Sequence, residues 1–89
     1  MRITFDPAKR ALTLAERGLD FVRATEVFAG RHLTGRDLRH SGEEHFITAG
    51  LLDGRVVVLV WTPRGRARRV ISMRKANARE QARYASHLA

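Results

Sequence analysis

Basic side chains are the residues of this 89-residue chain best suited to chemistry, and they crowd into one stretch near its carboxyl end. Between Trp61 and Glu80 the sequence has one acidic residue and seven basic ones. The basic residues are Arg64, Arg66, Arg68, Arg69, Arg74, Lys75 and Arg79. Because like charges at this density repel one another, the pattern favours an anionic partner. Arginine matches phosphate in a bidentate geometry, so we expect a nucleic acid, although a GC-rich genome would also enrich arginine.

The last predicted strand, written ARRVISMR, presents its side chains alternately to two faces. Alternation predicts that Arg68, Ser72 and Arg74 line an open face, while Arg69 points to the side covered by helices. The residues flanking the strand add three further cations, which are Arg64, Arg66 and Lys75. We interpret the open face as a basic floor for phosphodiester groups. The alternative is a solvated edge strand whose charge prevents aggregation, but one or two charges would serve that purpose.

A candidate for proton transfer lies in the polar segment DLRHSGEEHF. His40, beside Arg39, is predicted to lie in a loop that can fold over the sheet. A neutral imidazole near a phosphodiester can remove the 2′-hydroxyl proton or protonate a leaving oxygen. Glu43 or Glu44 could orient it. The alternative is an exposed histidine without a chemical role.

Metal and cofactor sites are not expected. No two of the four histidines sit at metal-ligand spacing on one predicted element, and the chain has no cysteine. No phosphate-binding loop, dinucleotide fingerprint or nucleophile elbow is present. A small-molecule enzyme therefore has no support.

Two aromatic residues are candidates to stack on a base. Trp61 ends an apolar strand, so we expect it in the core. Tyr84 lies on the last predicted helix beside Arg83, away from that helix's alanines, and is predicted to contact RNA or a partner.

Capping residues near the amino end predict where the first two helices begin and end. A short strand, RITF, is followed by Asp6 as N-cap and Pro7 at the first helical position, and Gly18 ends the helix. A second helix is predicted from Asp20 to Gly30. The apolar faces expected to lie on a sheet are formed by Ala8, Ala11, Leu12 and Ala15, and by Phe21, Ala24, Val27 and Phe28.

Three extended segments follow, EHFITAGLL, RVVVLVW and ARRVISMR, after a possible short strand at residues 32–34. The Asp53-Gly54 pair predicts a hairpin between the first two. The second is almost continuously apolar, which predicts a central strand covered on both faces. Asn77 and Glu80 form a capping-box pattern that opens a terminal helix, in which Ala78, Ala82, Ala85 and Leu88 share one face. The order predicts an α+β fold.

Composition indicates one domain over residues 1–89. The net charge of +8 is uneven. Residues 1–45 hold eight Lys/Arg against seven Asp/Glu, whereas residues 46–89 hold nine against two. No apolar run approaches the roughly 20 residues of a membrane span, and the amino end lacks a signal-peptide pattern, so we expect a cytoplasmic protein.

Five ordered motifs of the chain resemble one protein family. FDPAK, ERGLDFVRATEVF, DLRHSGEEHF, TPRG and RVISMRKANAREQARY together are similar to the BrnT toxins of bacterial type II toxin–antitoxin modules. The resemblance implies a RelE-like fold, in which an antiparallel sheet carries helices on one side and a basic catalytic face on the other. It also implies a ribonuclease that blocks translation, and a BrnA antitoxin whose ribbon-helix-helix domain lets the complex repress its own promoter.

The family's functional positions can be carried onto this chain by number. They fall on Asp6, Lys9, Arg39, His40, Thr62, Arg64, Ser72, Arg74 and Lys75. The chain departs from the family at two places, with Arg17 where a histidine is frequent and Trp61 where a tyrosine is usual. If that histidine took part in chemistry, the activity of this protein would be weakened or lost.

The resemblance and the residues together predict metal-independent RNA cleavage by 2′-hydroxyl attack. Arg64, Arg69 and Arg74 are the candidates to stabilise the phosphorane. His40 is the candidate acid or base and Lys75 its rival, and Arg69 would need a bulge to reach the site. The candidates for RNA binding are Arg39, Thr62, Arg66, Arg68, Ser72 and Tyr84. The alternative is a non-catalytic module that binds RNA, DNA or a protein partner through the same basic face.

Overall fold

A five-stranded mixed sheet forms the centre of the molecule, and helices lie on both of its faces. The structure is a computed structural model that describes residues 1–39 and 42–88. The strands are β1 (Arg2–Phe5), β2 (His32–Arg36), β3 (Phe46–Leu52), β4 (Arg55–Arg64) and β5 (Ala67–Lys75). The helices are α1 (Pro7–Arg17), α2 (Ala24–Ala29) and α3 (Ala78–Leu88), with a short 3-10 helix at Phe21–Arg23 before α2. The predicted α+β class is confirmed.

The sheet has the order β1-β5-β4-β3-β2. Strands β2 to β5 form an antiparallel meander, but β1 pairs with β5 in parallel, so the prediction of a purely antiparallel sheet is wrong. The meander leaves β5 with a free edge, and β1 fills it running in the same direction as β5. Strand β4 is central and buried from Val56 to Leu59, as its apolar sequence predicted.

The larger core lies between the sheet and α2. Phe21, Val27 and Phe28 are buried there against Leu59 and Trp61 of β4. The Trp61 ring stacks on Phe46 at a centroid distance of 4.9 Å. Its indole N–H donates to Thr48 Oγ1 at 2.8 Å, which satisfies the one polar atom that burial would leave unpaired. The predicted core role of the tryptophan is confirmed.

Helix α1 has the predicted ends but not the predicted inner face. The Asp6 carboxylate accepts from the backbone N–H of Ala8, and Gly18 has the left-handed φ of 68° that glycine tolerates best. No residue of α1 is buried, however, and Leu12 is 59% exposed. The face predicted to pack inward, Ala8, Ala11, Leu12 and Ala15, is therefore in solvent. Polar contacts hold α1 against the sheet instead. One of them is a 2.9 Å hydrogen bond from Arg17 Nη1 to the carbonyl of Met73 in β5. That both N-terminal helices pack on one face of the sheet stays a prediction.

Helix α3 closes a second, smaller core on the sheet face opposite α2. Leu88 is buried there with Ala49, Val56 and Val58, and Tyr84 packs against them. The residues that turn toward the sheet are spaced by four, at Glu80, Tyr84 and Leu88, whereas the predicted alanine face, Ala78, Ala82 and Ala85, is exposed. Among the described residues no helix is both long and apolar enough to cross a membrane.

Candidate functional site

A cavity of about 370 Å³ lies between α3 and the sheet face that α3 covers. We call it the arginine cavity. Its lining residues are Arg39, Ile47, Val58, Val60, Ser72, Arg74, Glu80, Arg83 and Tyr84. Three guanidinium groups, a hydroxyl and a phenol thus meet over an apolar floor, with one carboxylate among them. Such a set can hold a phosphodiester and a base side by side.

A β-bulge in β5 decides which basic residues reach this cavity. Val60 of β4 pairs with Ser72, and the next residue of β4, Trp61, pairs with Val70. Ile71 lies between the two paired residues of β5 and has no partner in β4. The extra residue reverses the alternation. Val70 and Met73 both belong to the core on the α2 face, although they are three residues apart. Arg74 and Ser72 face α3.

Arg68 is on the wrong face for its predicted role. The bulge turns it toward α2, where its guanidinium lies 4.4 Å from the Phe28 ring centroid and 4.6 Å from that of Trp61. It covers the aromatic core and does not line the arginine cavity. The prediction that Arg68 shares an open face with Ser72 and Arg74 is therefore wrong.

The bulge has the opposite effect on Arg69, which was predicted to point to the side covered by helices. It lies between Arg68 and Val70, which both contact the α2 side, and it pairs with Thr62 of β4. Alternation therefore places Arg69 on the α3 face. This is the outcome that a bulge was expected to produce. Arg69 does not line the cavity, so its catalytic role stays a prediction.

Thr62 is 1% exposed, and its hydroxyl donates to the Glu44 carbonyl at 2.7 Å. A side chain so enclosed has no surface with which to contact RNA, so the predicted binding role does not fit the structure. The hydrogen bond instead fixes the segment that enters β3.

The turn residues lie away from the cavity. Arg64 is exposed and pairs with Glu43 at 3.0 Å, a contact that lowers the pKa of that carboxyl. Arg66 is exposed in the same turn. Lys75 pairs in register with Val57, a residue of the α2-side core, so it lies on the other face from Arg74.

The predicted acid–base residue, His40, lies outside the described residues, as does Ser41. The two glutamates proposed to orient it have other partners. Glu43 binds Arg64, and Glu44 forms an ion pair with Arg36 at 3.2 Å. The preceding Arg39 lines the arginine cavity.

Two arginines of the cavity are each held by one carboxylate. Arg39 donates through Nε and Nη2 to the buried Asp37, at 2.9 and 3.2 Å. Arg74 donates through Nη1 and Nη2 to Glu80, both at 2.7 Å. Each bidentate pair uses part of a guanidinium and leaves other N–H groups for a ligand. Among the described residues Arg83 has no hydrogen bond to a carboxylate, although its positive charge helps to lower the pKa of Glu80.

Glu80 is the residue that sequence reasoning missed. The capping pattern that it forms with Asn77 is confirmed, because each backbone N–H donates to the other's side chain at 2.9 Å. The same carboxylate also binds Arg74, and that bond, followed by the Asn77 N–H, lowers its pKa to about 2. A signal was available, since Glu80 is the only acid between Trp61 and the end of the chain.

Tyr84 separates the arginine cavity from a second cavity of about 290 Å³ beside β2. Its ring is half-buried against the smaller core and lines both cavities. The residue is therefore placed where a base could stack, although its RNA contact stays a prediction. No cluster of three metal-ligating side chains occurs in the part of the chain that the structure describes.

Comparison with known protein families gives a match over most of the chain. The family model described as the ribonuclease toxin BrnT of type II toxin–antitoxin systems matches residues 5–80 of the 89. The matched segment runs from the end of β1 into the first turn of α3, and it contains every lining residue of the arginine cavity except Arg83 and Tyr84. A search of curated proteins found no match.

Proposed function

The chain belongs to the BrnT family of ribonuclease toxins of type II toxin–antitoxin systems, and from this premise we propose that it cleaves RNA in the arginine cavity. The observation that carries the proposal is the convergence of Arg39, Ser72, Arg74 and Arg83 on that one cavity. The second cavity, beside β2, is smaller, at about 290 Å³, and a single arginine, Arg36, contributes to its lining.

The reaction is attack of a ribose 2′-oxygen on the adjacent phosphorus. The bond from phosphorus to the 5′-oxygen breaks, which yields a 2′,3′-cyclic phosphate and a free 5′-hydroxyl. Charge builds on the phosphoryl oxygens in the transition state, and fixed donors at that position lower the barrier most. We assign this task to Arg74 and Arg39, and Arg69 is the third candidate.

Proton transfer is assigned to His40, which follows Arg39 in sequence. One base must take the 2′-hydroxyl proton and one acid must protonate the leaving 5′-oxygen. Lys75 is the weaker candidate, because its register places it on the opposite face from Arg74. The guanidinium groups supply the positive charge that a metal ion would otherwise bring, so cleavage should not require a metal.

Metal-independent cleavage can be tested with purified protein and a uniformly labelled RNA in EDTA. We expect the wild type to cut and Arg74→Ala to lose cutting. Arg23→Ala is the matched control, because Arg23 is also an ion-paired arginine but lies beside Asp53, away from the cavity. RNA binding by the wild type without cleavage would instead support the second candidate, a non-catalytic binding module that uses the same cavity.

In the cell, cleavage of this kind would inhibit translation in the cytoplasm. We expect a cell-free translation reaction to stop on addition of the wild type and to continue with Arg74→Ala. Continued protein synthesis in the presence of an RNA-cleaving wild type would separate the two activities. We also propose that the fold is RelE-like.

The partner proposed for this toxin is a BrnA-type antitoxin with a ribbon-helix-helix domain, through which the complex binds operator DNA. An inhibitor must keep substrate from the arginine cavity, so we expect acidic or apolar residues of the antitoxin to cover it. The structure of the complex tests this. Ser72 and Arg74 left open to solvent would contradict it.

A further inference from the structure

We propose that Glu80 is a positioning residue, which holds Arg74 in the orientation that RNA cleavage requires. The inference rests on the proposed function and deepens it. Nothing in the capping role of Glu80 calls for a second partner, yet both of its carboxylate oxygens receive a hydrogen bond from Arg74.

Glu80 is the fixed member of this pair. Its side chain is 18% exposed, compared with 46% for that of Arg74. Its Oε1 also accepts from the backbone N–H of Asn77, a bond that does not depend on the Asn77 side chain. A carboxylate held by the backbone of α3 can restrain a long, half-exposed arginine, whereas the arginine has little with which to restrain it.

The bonds to Glu80 leave the useful edge of Arg74 free. A guanidinium has five N–H donors, and Glu80 takes one from each terminal nitrogen. The Nε–H and the neighbouring Nη–H form a second fork, and two parallel donors of this kind match two oxygens of one phosphate. Arg74 can therefore bridge the carboxylate and an RNA phosphate without breaking the ion pair.

Glu80 acts through Arg74 and not on the substrate. Both of its oxygens are already hydrogen-bonded, and its pKa of about 2 makes it a poor base near neutral pH. As an anion in the cavity it also repels RNA. Its removal should therefore lower both kinetic constants. Turnover should slow because Arg74 is less well oriented, and KM should fall because one repulsive charge is gone.

A double-mutant cycle tests the inference. Single-turnover cleavage and KM are measured for the wild type, Glu80→Gln, Arg74→Ala and the variant with both changes. Glutamine is accepted at this position of a capping box, so Glu80→Gln spares the helix end. We expect kcat to fall on the order of tenfold to hundredfold with KM unchanged or lower. In the Arg74→Ala background, Glu80→Gln should cost nothing further.

Asn77→Ala provides the matched control, because it removes the other half of the cap without touching Arg74. We expect this variant to unfold at lower urea concentration but to keep the wild-type kcat. An equal loss of kcat in Asn77→Ala, an unchanged Glu80→Gln, or a Glu80→Gln loss that persists without Arg74 would each overturn the inference. A wild type that cleaves no RNA would overturn the proposed function as well, so the two failures are distinguishable.

Discussion

Arg23, on the α2 side of the sheet, and the arginines of the arginine cavity, on the α3 side, are paired in different ratios with carboxylates. On the α2 side Arg23 is shared by two acids, Glu26 and Asp53, and both contacts raise its pKa. Facing α3, Arg39, Arg74 and Arg83 surround one cavity, and the carboxylates bound to them are Asp37 and Glu80. Around Arg23 the carboxylates outnumber the guanidinium group, whereas in the arginine cavity three guanidinium groups face two carboxylates.

The difference shows that arginine frequency alone does not identify a binding surface. Arg68 and Arg74 lie on one strand, but the first covers aromatic rings and the second lines a cavity. Arg39 and Arg74 each have a single carboxylate, which orients the guanidinium without occupying all of its donors. The arginines that stabilise the fold are those whose donors or faces are already used.

Truncating Arg74 and Arg68, two of the arginines of β5, tests this comparison most directly. Arg74→Ala should lower the rate of RNA cleavage on the order of 10²–10³-fold, as expected for loss of a donor that stabilises transition-state charge. Arg68→Ala should leave cleavage unchanged but lower the free energy of unfolding by about 1 kcal/mol through the lost cation–π contacts. Cleavage kinetics and urea unfolding measure the two effects. Loss of cleavage in Arg68→Ala with a native unfolding curve would contradict the assignment of faces.

The α2 face can also be perturbed without any charge. A methyl group added at Gly50 would lie 2.6 Å from Val27 Cγ1 and 3.2 Å from His32 Cβ. Gly50→Ala should therefore destabilise the fold by roughly 1–3 kcal/mol, because the core must shift to accept it. The arginine cavity, on the other face, should keep its activity at temperatures where the variant remains folded. Thermal unfolding measures the first effect, and a wild-type melting temperature would argue against tight packing there.

Local signals in the sequence predicted most of the fold. The caps at Asp6, Gly18 and Asn77 and the Asp53-Gly54 hairpin depend on nearby residues, and all are confirmed. The predictions of which face packs inward were wrong for α1 and for the alanines of α3, because an alanine can be exposed to water at little cost. A polar residue can also face a sheet when it finds a partner there, as Arg17 and Glu80 do.

The site was predicted in composition but not in arrangement. Ser72, Arg74 and Tyr84 do line the cavity, whereas Arg68 and Thr62 do not. One inserted residue, Ile71, caused the error about Arg68. Nothing local in the sequence marks a bulge in a strand without glycine, because the bulge depends on how β5 pairs with β4. The parallel pairing of β1 depends in the same way on contacts distant in sequence.

The pairing of Glu80 with Arg74 should also appear in the response of the protein's stability to acid. Glu80 has its pKa lowered from 4.5 to about 2, chiefly by Arg74. The stabilisation from this carboxylate is therefore complete above pH 4.5 and is lost as the pH falls through 2. Glu80→Gln should flatten the fall in stability across that window, and urea unfolding at several pH values measures it. Asp20→Asn provides a comparison, because Asp20 is also lowered to about 2, chiefly by its bond from Arg10. An acid response identical to wild type in Glu80→Gln would show that Arg74 does not hold this carboxylate in solution.

The smallest expected effect concerns the salt dependence of RNA binding. Each arginine that contacts a phosphate releases counterions, so its loss should reduce the slope of log affinity against log salt by about 0.7 for a single strand. We expect this reduction for Arg39→Ala and Arg83→Ala, measured with an RNA whose 2′-hydroxyls are replaced to prevent cleavage. Arg23→Ala should leave the slope unchanged, because its guanidinium is already shared by two carboxylates. Equal reductions in all three variants would mean that RNA follows total charge and not the arginine cavity. The unequal pairing of the two faces would then have no consequence for binding.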